Sequence, residues 1–337
     1  MEDLLNAAVL AANYIVIPAT VYGCQLALGA LGVTLIYSVL RFSNFAHGET
    51  MAFGTAVTIL VTLSLQGIGV GIFPLPTALL ALPVGILATI GLTLATDRWV
   101  YRFYRRKRSE PIIFLIVSIG VMFVMSGLVR FLVGTDDRVF DDGMRFLITA
   151  RDFKELTGLG EGLAIRTSQL ITLTTALTCV GLLFWFLEHT KTGKMMRAFS
   201  DNEDLALLSG IDPEKIVRIA WITAACLATL AGTLYGLDKS FKPFVFQQLL
   251  LPIFAAAIVG GFGNPLGAIA GGFLIAFSEV ALTYPYKRLI TYLAQSSWEP
   301  EGLLQLMSTD YKYAVSFLIL VMVLLVRPTG ILGGAKA

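Results

Sequence analysis

The sequence is poor in charged side chains. Only 14% of its 337 residues are Asp, Glu, Lys or Arg, whereas soluble domains carry about 25%. Hydrophobic residues make up 56%, and the mean hydropathy is +0.77. Because a chain this long and apolar cannot hide its apolar surface in one water-soluble core, we expect the bilayer to be its solvent. The composition predicts an all-α polytopic membrane protein with one domain, residues 1–337.

The residues that metal sites and disulfides require are also scarce. The only histidines are His47 and His189, and neither has partners at ligand spacing, so no metal site is predicted. The three cysteines stand in apolar stretches without a CxxC pair, which is typical of small buried side chains. No basic-aromatic cluster indicates nucleic acid as a partner.

Sequence motifs for catalysis are missing as well. No GxxxxGK[ST] occurs, and residues 192–195 lack both the upstream glycine and the hydroxyl residue after lysine. We therefore predict no catalytic residues, no cofactor bound by this chain and no ATP hydrolysis by it alone. No basic residue precedes Arg41, so we expect the first apolar span to be retained rather than cleaved as a signal peptide.

Apolar runs predict eight or nine transmembrane helices. A helix needs about 20 apolar residues to cross the hydrocarbon core. The seventh and ninth runs are short, and we expect the seventh to be a half-helix that turns back inside the protein. The nine runs are 14–39, 50–66, 76–96, 112–133, 169–187, 217–236, 250–262, 266–284 and 312–326.

Basic residues predict the orientation. The loop 97–111 is rich in arginine and should be cytoplasmic by the positive-inside rule. Alternation from this loop places the N-terminus outside and the C-terminus in the cytoplasm. The loops 134–168 and 285–311 then face outside.

The polar segment 188–216, here called the coupling segment, separates the fifth and sixth spans. Ser200 and Glu203 have capping-box spacing, and Gly210 is placed to end a helix in the left-handed conformation. Asp212-Pro213 is typical of a following helix start. We predict a helix over 201–209 that exposes Leu205, Ala206, Leu208 and Ser209. This helix is either a capped connector or a docking element for a cytoplasmic partner.

Four parts of the chain resemble the LivH-type branched-chain amino acid permeases of ABC importers. The first, Lys-Met-Met-Arg-Ala at 194–198 with Ser-Gly-Ile at 209–211, is similar to the importer coupling-loop motif. The others are Asn-Phe-Ala-His-Gly-Glu at 44–49, the glycine-rich stretch 258–272 and the C-terminal stretch 311–333. The resemblance extends over nearly the whole chain, except the loop 134–168 and residues 285–310, which include Trp298–Glu301.

The resemblance implies an ABC importer permease fold in a bacterial cytoplasmic membrane, surrounded by membrane lipid. It implies three kinds of partner: a second homologous permease subunit, with a heterodimer expected; two cytoplasmic ABC ATPase subunits that bind ATP and Mg; and a periplasmic or lipid-anchored solute-binding protein. The implied solute is a branched-chain, hydrophobic amino acid, with urea, short amides and other amino acids as alternatives. The implied ATPase-coupling residues are Lys194, Arg197, Ala198, Asp201, Leu205, Leu208, Ser209, Gly210 and Ile211.

Broken helices in the two halves of a transporter indicate a solute path. The polar stretch 44–49 and the glycine-rich stretch 260–272 occupy comparable places, and we expect them to meet near the centre. Alternatively, residues 44–49 form a cytoplasmic loop against lipid headgroups. The expected pathway or gate residues are Asn44, Phe45, His47, Gly48, Glu49, Gly261, Gly263, Asn264 and Glu279.

Two features permit other interpretations. Glu279 lies within an apolar span, where a carboxylate is costly and faces the protein interior or water, in a functional or a structural contact. It is also the best candidate for ion coupling if the chain is a self-sufficient secondary transporter. Gly263, Gly267 and Gly271 recur every four residues, which permits close helix packing within the subunit or a role at an interface.

Overall fold

The computed structural model describes residues 2–140, 142–293, 302 and 304–332, and these residues are mostly helical. The first half begins with one continuous helical rod whose middle turn is a π-helix at Ala12–Val16. A second π turn, Asp97–Tyr101, prolongs the third apolar helix. The helices of this half are α1 (Glu2–Ala11), α2 (Ile17–Leu40), α3 (His47–Gly67), α4 (Ala78–Thr96), α5 (Arg102–Arg106) and α6 (Pro111–Val133).

The second half adds a small outer subdomain and the remaining spans. Two short antiparallel strands, β1 (Phe146–Ile148) and β2 (Ile165–Arg166), flank the amphipathic helix α7 (Ala150–Thr157). The other helices are α8 (Thr167–His189), α9 (Lys191–Asp201), α10 (Glu203–Leu208), α11 (Pro213–Lys239), α12 (Val245–Gly260), α13 (Pro265–Thr283), α14 (Lys287–Leu293) and α15 (Lys312–Val326). A single 3₁₀ turn, Thr309–Tyr311, leads into α15.

The predicted spans are confirmed in number. Eight helical segments of the described residues are long and apolar enough to cross a membrane, and α12 is a shorter apolar helix of 16 residues. At 1.5 Å per residue α12 is about 24 Å long, less than the ~30 Å hydrocarbon core. The expected half-helix at 250–262 is therefore a short helix that starts five residues earlier.

The loops gather at two ends of the helix bundle. At one end, the Thr77 amide donates to Asp142 Oδ2 at 2.6 Å, and Arg138 pairs with Phe241 through their backbones. We call this the acidic end. The opposite, basic end holds the arginine-rich loop and the coupling segment, joined by the Arg102–Glu214 ion pair at 3.3 Å. This alternation is the one predicted from the nine spans.

The first and the last described residues lie at opposite ends of the bundle. Asn6 on α1 accepts a hydrogen bond from the Glu161 amide at 3.1 Å, at the acidic end. Ile331 and Leu332, the last described residues, donate backbone hydrogen bonds to the last turn of α12, at the basic end. The prediction that the basic end is cytoplasmic remains a prediction.

Small residues allow the central helices α2, α3, α11, α12 and α13 to pack closely. A Cβ at Gly267 would lie 2.2 Å from the Gly260 carbonyl oxygen, and one at Gly271 would lie 2.1 Å from that of Ala256. These two glycines therefore seat α13 on α12 within the subunit, as one interpretation expected. Gly263 does not belong to this face, because it precedes α13 in a loop at φ +83°.

The two stretches that depart from the family resemblance contact each other at the acidic end. Tyr292 on α14 donates to Glu161 Oε1 at 2.9 Å, and Arg288 lies 3.5 Å from the same oxygen. The hydrogen bond to the carboxylate raises the pKa of Tyr292 above its usual value. Residues Trp298–Glu301, part of the predicted extra stretch, lie outside the described residues.

Candidate functional site

The coupling segment folds as two helices, α9 and α10, rather than the single helix predicted over 201–209. The expected capping box at Ser200 is wrong, because Ser200 lies inside α9. Asn202 breaks the helix instead, and its side chain accepts from the Leu205 amide at 3.0 Å, as an N-cap. An asparagine directly before Glu-Asp is a helix-start signal, and it could have predicted Asn202 as the N-cap from the sequence.

The end of the coupling segment is as predicted. Gly210 has φ +80°, the left-handed conformation that closes α10. Asp212 caps α11, accepting from the Glu214 amide at 3.0 Å, and Pro213 is the first residue of that helix.

The exposed leucines of α10 form an apolar surface at the basic end. Leu208 is 86% exposed and Leu205 is 61% exposed, as expected. Ala206 was expected beside them but is buried against the bundle, because it lies on the opposite side of this short helix. Ile211 is half-buried, and the remaining predicted coupling residues are exposed, namely Lys194, Arg197, Ala198, Asp201, Ser209 and Gly210.

Ion pairs connect the exit of the coupling segment to the π turn of the third span. Glu214, in the first turn of α11, contacts Arg102 at 3.3 Å and Arg105 at 3.5 Å. Arg105 in turn makes a two-pronged pair with Asp97, at 2.8 and 3.2 Å. Such planar pairs fix geometry as well as charge. These ion pairs were not predicted from the sequence, in which the arginines served only as markers of orientation.

The same network continues inward to Asn44. Asp97 accepts from the Trp221 indole at 2.9 Å, and Trp221 stacks on Tyr101 with ring centres 5.2 Å apart. The Tyr101 hydroxyl donates to Asn44 Oδ1 at 3.2 Å. A continuous set of charged, aromatic and amide groups thus joins the base of α11 to the start of α3.

The stretch 44–49 lies in the protein interior rather than in a surface loop. Asn44, His47 and Glu49 are at most 2% exposed, and Phe45 is half-buried. Gly48 is needed because a Cβ there would lie 2.7 Å from the Phe246 carbonyl oxygen on α12. The structure therefore brings residues 44–49 against the first half of α12.

The stretch 261–264 has different neighbours. Asn264 caps α13, accepting from the amides of Leu266 and Gly267, and its Nδ2 donates to Leu332 at 2.9 Å. Gly261 lies against Gly330 of the C-terminal stretch. Among the described residues no hydrogen bond joins this stretch to residues 44–49, and α12 extends from one to the other. Their shared role in a solute path stays a prediction.

Glu279 faces the protein interior. Its side chain is 2% exposed, and the Ser316 hydroxyl donates to its Oε1. The neighbouring groups include Tyr22, Tyr313 and Lys312, so the carboxylate joins α2, α13 and α15 near the acidic end. An inward, hydrogen-bonded position is the arrangement expected of a carboxylate in a membrane span.

Comparison with known proteins identifies the family. Residues 15–324 match the family described as the permease component of the branched-chain amino acid transport system. A probable branched-chain amino acid transport permease protein LivH of Methanocaldococcus jannaschii is 31% identical over 321 residues, which cover 94% of this chain and 90% of that protein. The high-affinity branched-chain amino acid transport system permease protein LivH of Escherichia coli (strain K12) is 28% identical over 318 residues, 92% of each chain. The ribose import permease protein RbsC of the same organism is 28% identical over 261 residues, 74% of this chain and 72% of that protein. Together with the membrane-spanning bundle, these matches show that the chain belongs to the family of branched-chain amino acid transport system permease components, as four stretches of its sequence predicted.

Proposed function

We propose that this chain forms half of the path by which a branched-chain amino acid enters a bacterial cell, in an importer driven by ATP. The observation that supports this most is the coupling segment. It presents three exposed leucines, at positions 205, 207 and 208, at the basic end. From there it leads, through Glu214, Arg105 and Asp97, to buried Asn44. A set of exposed apolar side chains on a short capped helix suits docking into a groove of a partner protein.

The proposed assembly has four further subunits. A second homologous permease, longer than this chain, forms a heterodimer with it in the cytoplasmic membrane. Two ABC ATPases in the cytoplasm bind ATP and Mg, whereas this chain binds no cofactor. A periplasmic or lipid-anchored solute-binding protein delivers the solute at the acidic end, which faces outside. The relatives' shared description as permease components supports this set of partners.

In the proposed mechanism, ATP binding draws the two ATPases together and displaces α10. The displacement is transmitted directly to α11, because only the four residues Ser209–Asp212 separate α10 from α11. Arg102 and Arg105 hold Glu214, so the third span moves together with α11. Tyr101, in the π turn of the third span, then shifts Asn44 and the start of α3. We propose that this shift opens or closes the solute path.

The proposed solute is an aliphatic amino acid, because the similar LivH proteins are named for branched-chain amino acid transport. Importers of the same type for urea, short amides or other amino acids are the alternatives.

The test is uptake of labelled leucine, with unlabelled urea and acetamide as competitors, by proteoliposomes that contain the whole complex. We expect uptake to require ATP inside and binding protein outside, and to persist when the ion gradients are collapsed. Uptake driven by a proton or sodium gradient without ATP would contradict the proposal and favour a secondary transporter that uses Glu279.

A further inference from the structure

A cavity of about 510 Å³ lies at the acidic end, between the end of α11 and the loop 134–168. This volume is in the range of small-molecule sites. None of its lining residues belongs to the coupling segment or to residues 44–49. Its walls come from Pro76, residues 139–140 and 142–145, residues 166–168 and residues 236–240.

The cavity carries charges of both signs. Arg145 and Arg166 line one part of it, and no ion pair is found for either guanidinium among the residues that the structure describes. Asp142 and Asp238 supply carboxylates. Lys239 adds a further cation and lies 3.4 Å from Asp238.

Both carboxylates are held by the fold. Asp142 Oδ2 accepts from the Thr77 amide at 2.6 Å, whereas its buried Oδ1 has no hydrogen-bond partner among the described residues. The Asp238 side chain is 8% exposed, and Lys239 is its one ion-pair partner among the described residues. The hydrogen bond from Thr77 and the ion pair with Lys239 thus hold the two carboxylates at the cavity wall.

Apolar side chains stand beside these charges. Val139, Phe140 and Leu237 line the same cavity. Phe140 packs over Gly236, where a Cβ would lie 3.1 Å from its ring, and that glycine also faces Thr55 of α3. The cavity wall at Gly236 is thus packed against α3 on its far side.

We propose that this cavity is an entry site for a free α-amino acid with an aliphatic side chain. The solute carboxylate pairs with Arg145 and Arg166, its ammonium group donates to Asp142 and Asp238, and its side chain lies on Phe140 and Leu237. Charge-assisted hydrogen bonds of this kind are the strong ones in proteins. This inference rests on the proposed function and deepens it, because urea and short amides lack both charges.

The test measures binding of three probes to the whole complex in nanodiscs, without binding protein, by saturation-transfer difference NMR. The probes are L-leucine, leucinol, which lacks the carboxylate, and 4-methylpentanoate, which lacks the ammonium group. We expect L-leucine to bind the unsubstituted complex at least about tenfold more tightly than either analogue, because each loses charge-assisted hydrogen bonds.

Variants assign the binding to the cavity. Arg166→Gln and Asp238→Asn should each weaken L-leucine binding about tenfold, and Arg166→Lys should restore part of it. Arg151→Gln is the matched control, since Arg151 is an exposed arginine of the same loop that pairs with Glu155 outside the cavity. It should leave binding unchanged.

Two results would overturn the inference. One is ATP-driven leucine uptake by the unsubstituted complex together with unchanged leucine binding in both cavity variants. The other is that the two cavity variants bind leucine normally but need a different concentration of binding protein for half-maximal stimulation of the ATPase. The cavity would then be a docking surface for the binding protein. Failure of the proposed function is different, because the unsubstituted complex would then show no ATP-driven leucine uptake.

Discussion

At the scale of single residues, Asn44 is the inner end of the polar network. Its Oδ1 accepts from the Ala46 amide and the Tyr101 hydroxyl, both at 3.2 Å. Tyr101 is 1% exposed, so loss of the amide oxygen leaves a buried hydroxyl without its partner. An unsatisfied buried donor costs about 1–3 kcal/mol.

Asn44→Ala should therefore lower both stability and the coupling of ATP hydrolysis to uptake. We expect a modest fall in the thermal unfolding temperature of the detergent-solubilised complex, and a much larger fall in solute molecules imported per ATP. Ser64→Ala, at an exposed position of α3, the helix that follows Asn44, is the control. An unchanged import-to-hydrolysis ratio in Asn44→Ala would exclude Asn44 from the path and the gate.

Substitution of Asn264 is expected to affect stability more than transport, although the sequence predicted Asn264, like Asn44, to be a pathway or gate residue. It caps α13 and holds the C-terminal stretch through Leu332. Asn264→Ala should destabilise the protein by about 1 kcal/mol through loss of the cap. Uptake per correctly folded complex should fall less than in Asn44→Ala, measured after normalising for folded protein by size-exclusion chromatography.

At the scale of helices, the α12–α13 contact depends on glycine. A Cβ at Gly267 would overlap the Gly260 carbonyl, so the helices must separate to admit it. Overpacking a close contact costs about 1–3 kcal/mol. Gly267→Ala should lower the unfolding temperature, whereas Gly127→Ala on α6, with nothing within 4 Å of the added carbon, should not. Equal unfolding temperatures would contradict the packing.

The helices were largely predictable because each span carries its own apolar run, and helix ends carry local signals. The left-handed Gly210 and the Asp212-Pro213 start depend only on neighbouring backbone, so the sequence predicted them. The network through Asp97 joins residues 124 positions apart, and no local pattern indicates such a contact. The sequence likewise could not indicate that α12 would separate residues 44–49 from Asn264.

At the scale of the whole molecule, the two ends differ in charge and in proposed function. Leu156 on α7 is 85% exposed at the acidic end, and Leu208 is 86% exposed at the basic end. In intact cells, a cysteine at Leu156 should react with a membrane-impermeant maleimide, and one at Leu208 should react only after the membrane is opened. The reverse pattern would contradict the orientation.

The central claim is that α10 docks the ATPases that drive this permease, and the most direct measurement is copurification of the complex from detergent. Leu208→Asp should release the ATPase subunits, because a charge replaces the exposed apolar contact, while the second permease stays bound. Leu156→Asp is the matched control, an equally exposed leucine at the other end. If ATPases are retained by Leu208→Asp as fully as by Leu156→Asp, the account of the coupling segment is wrong.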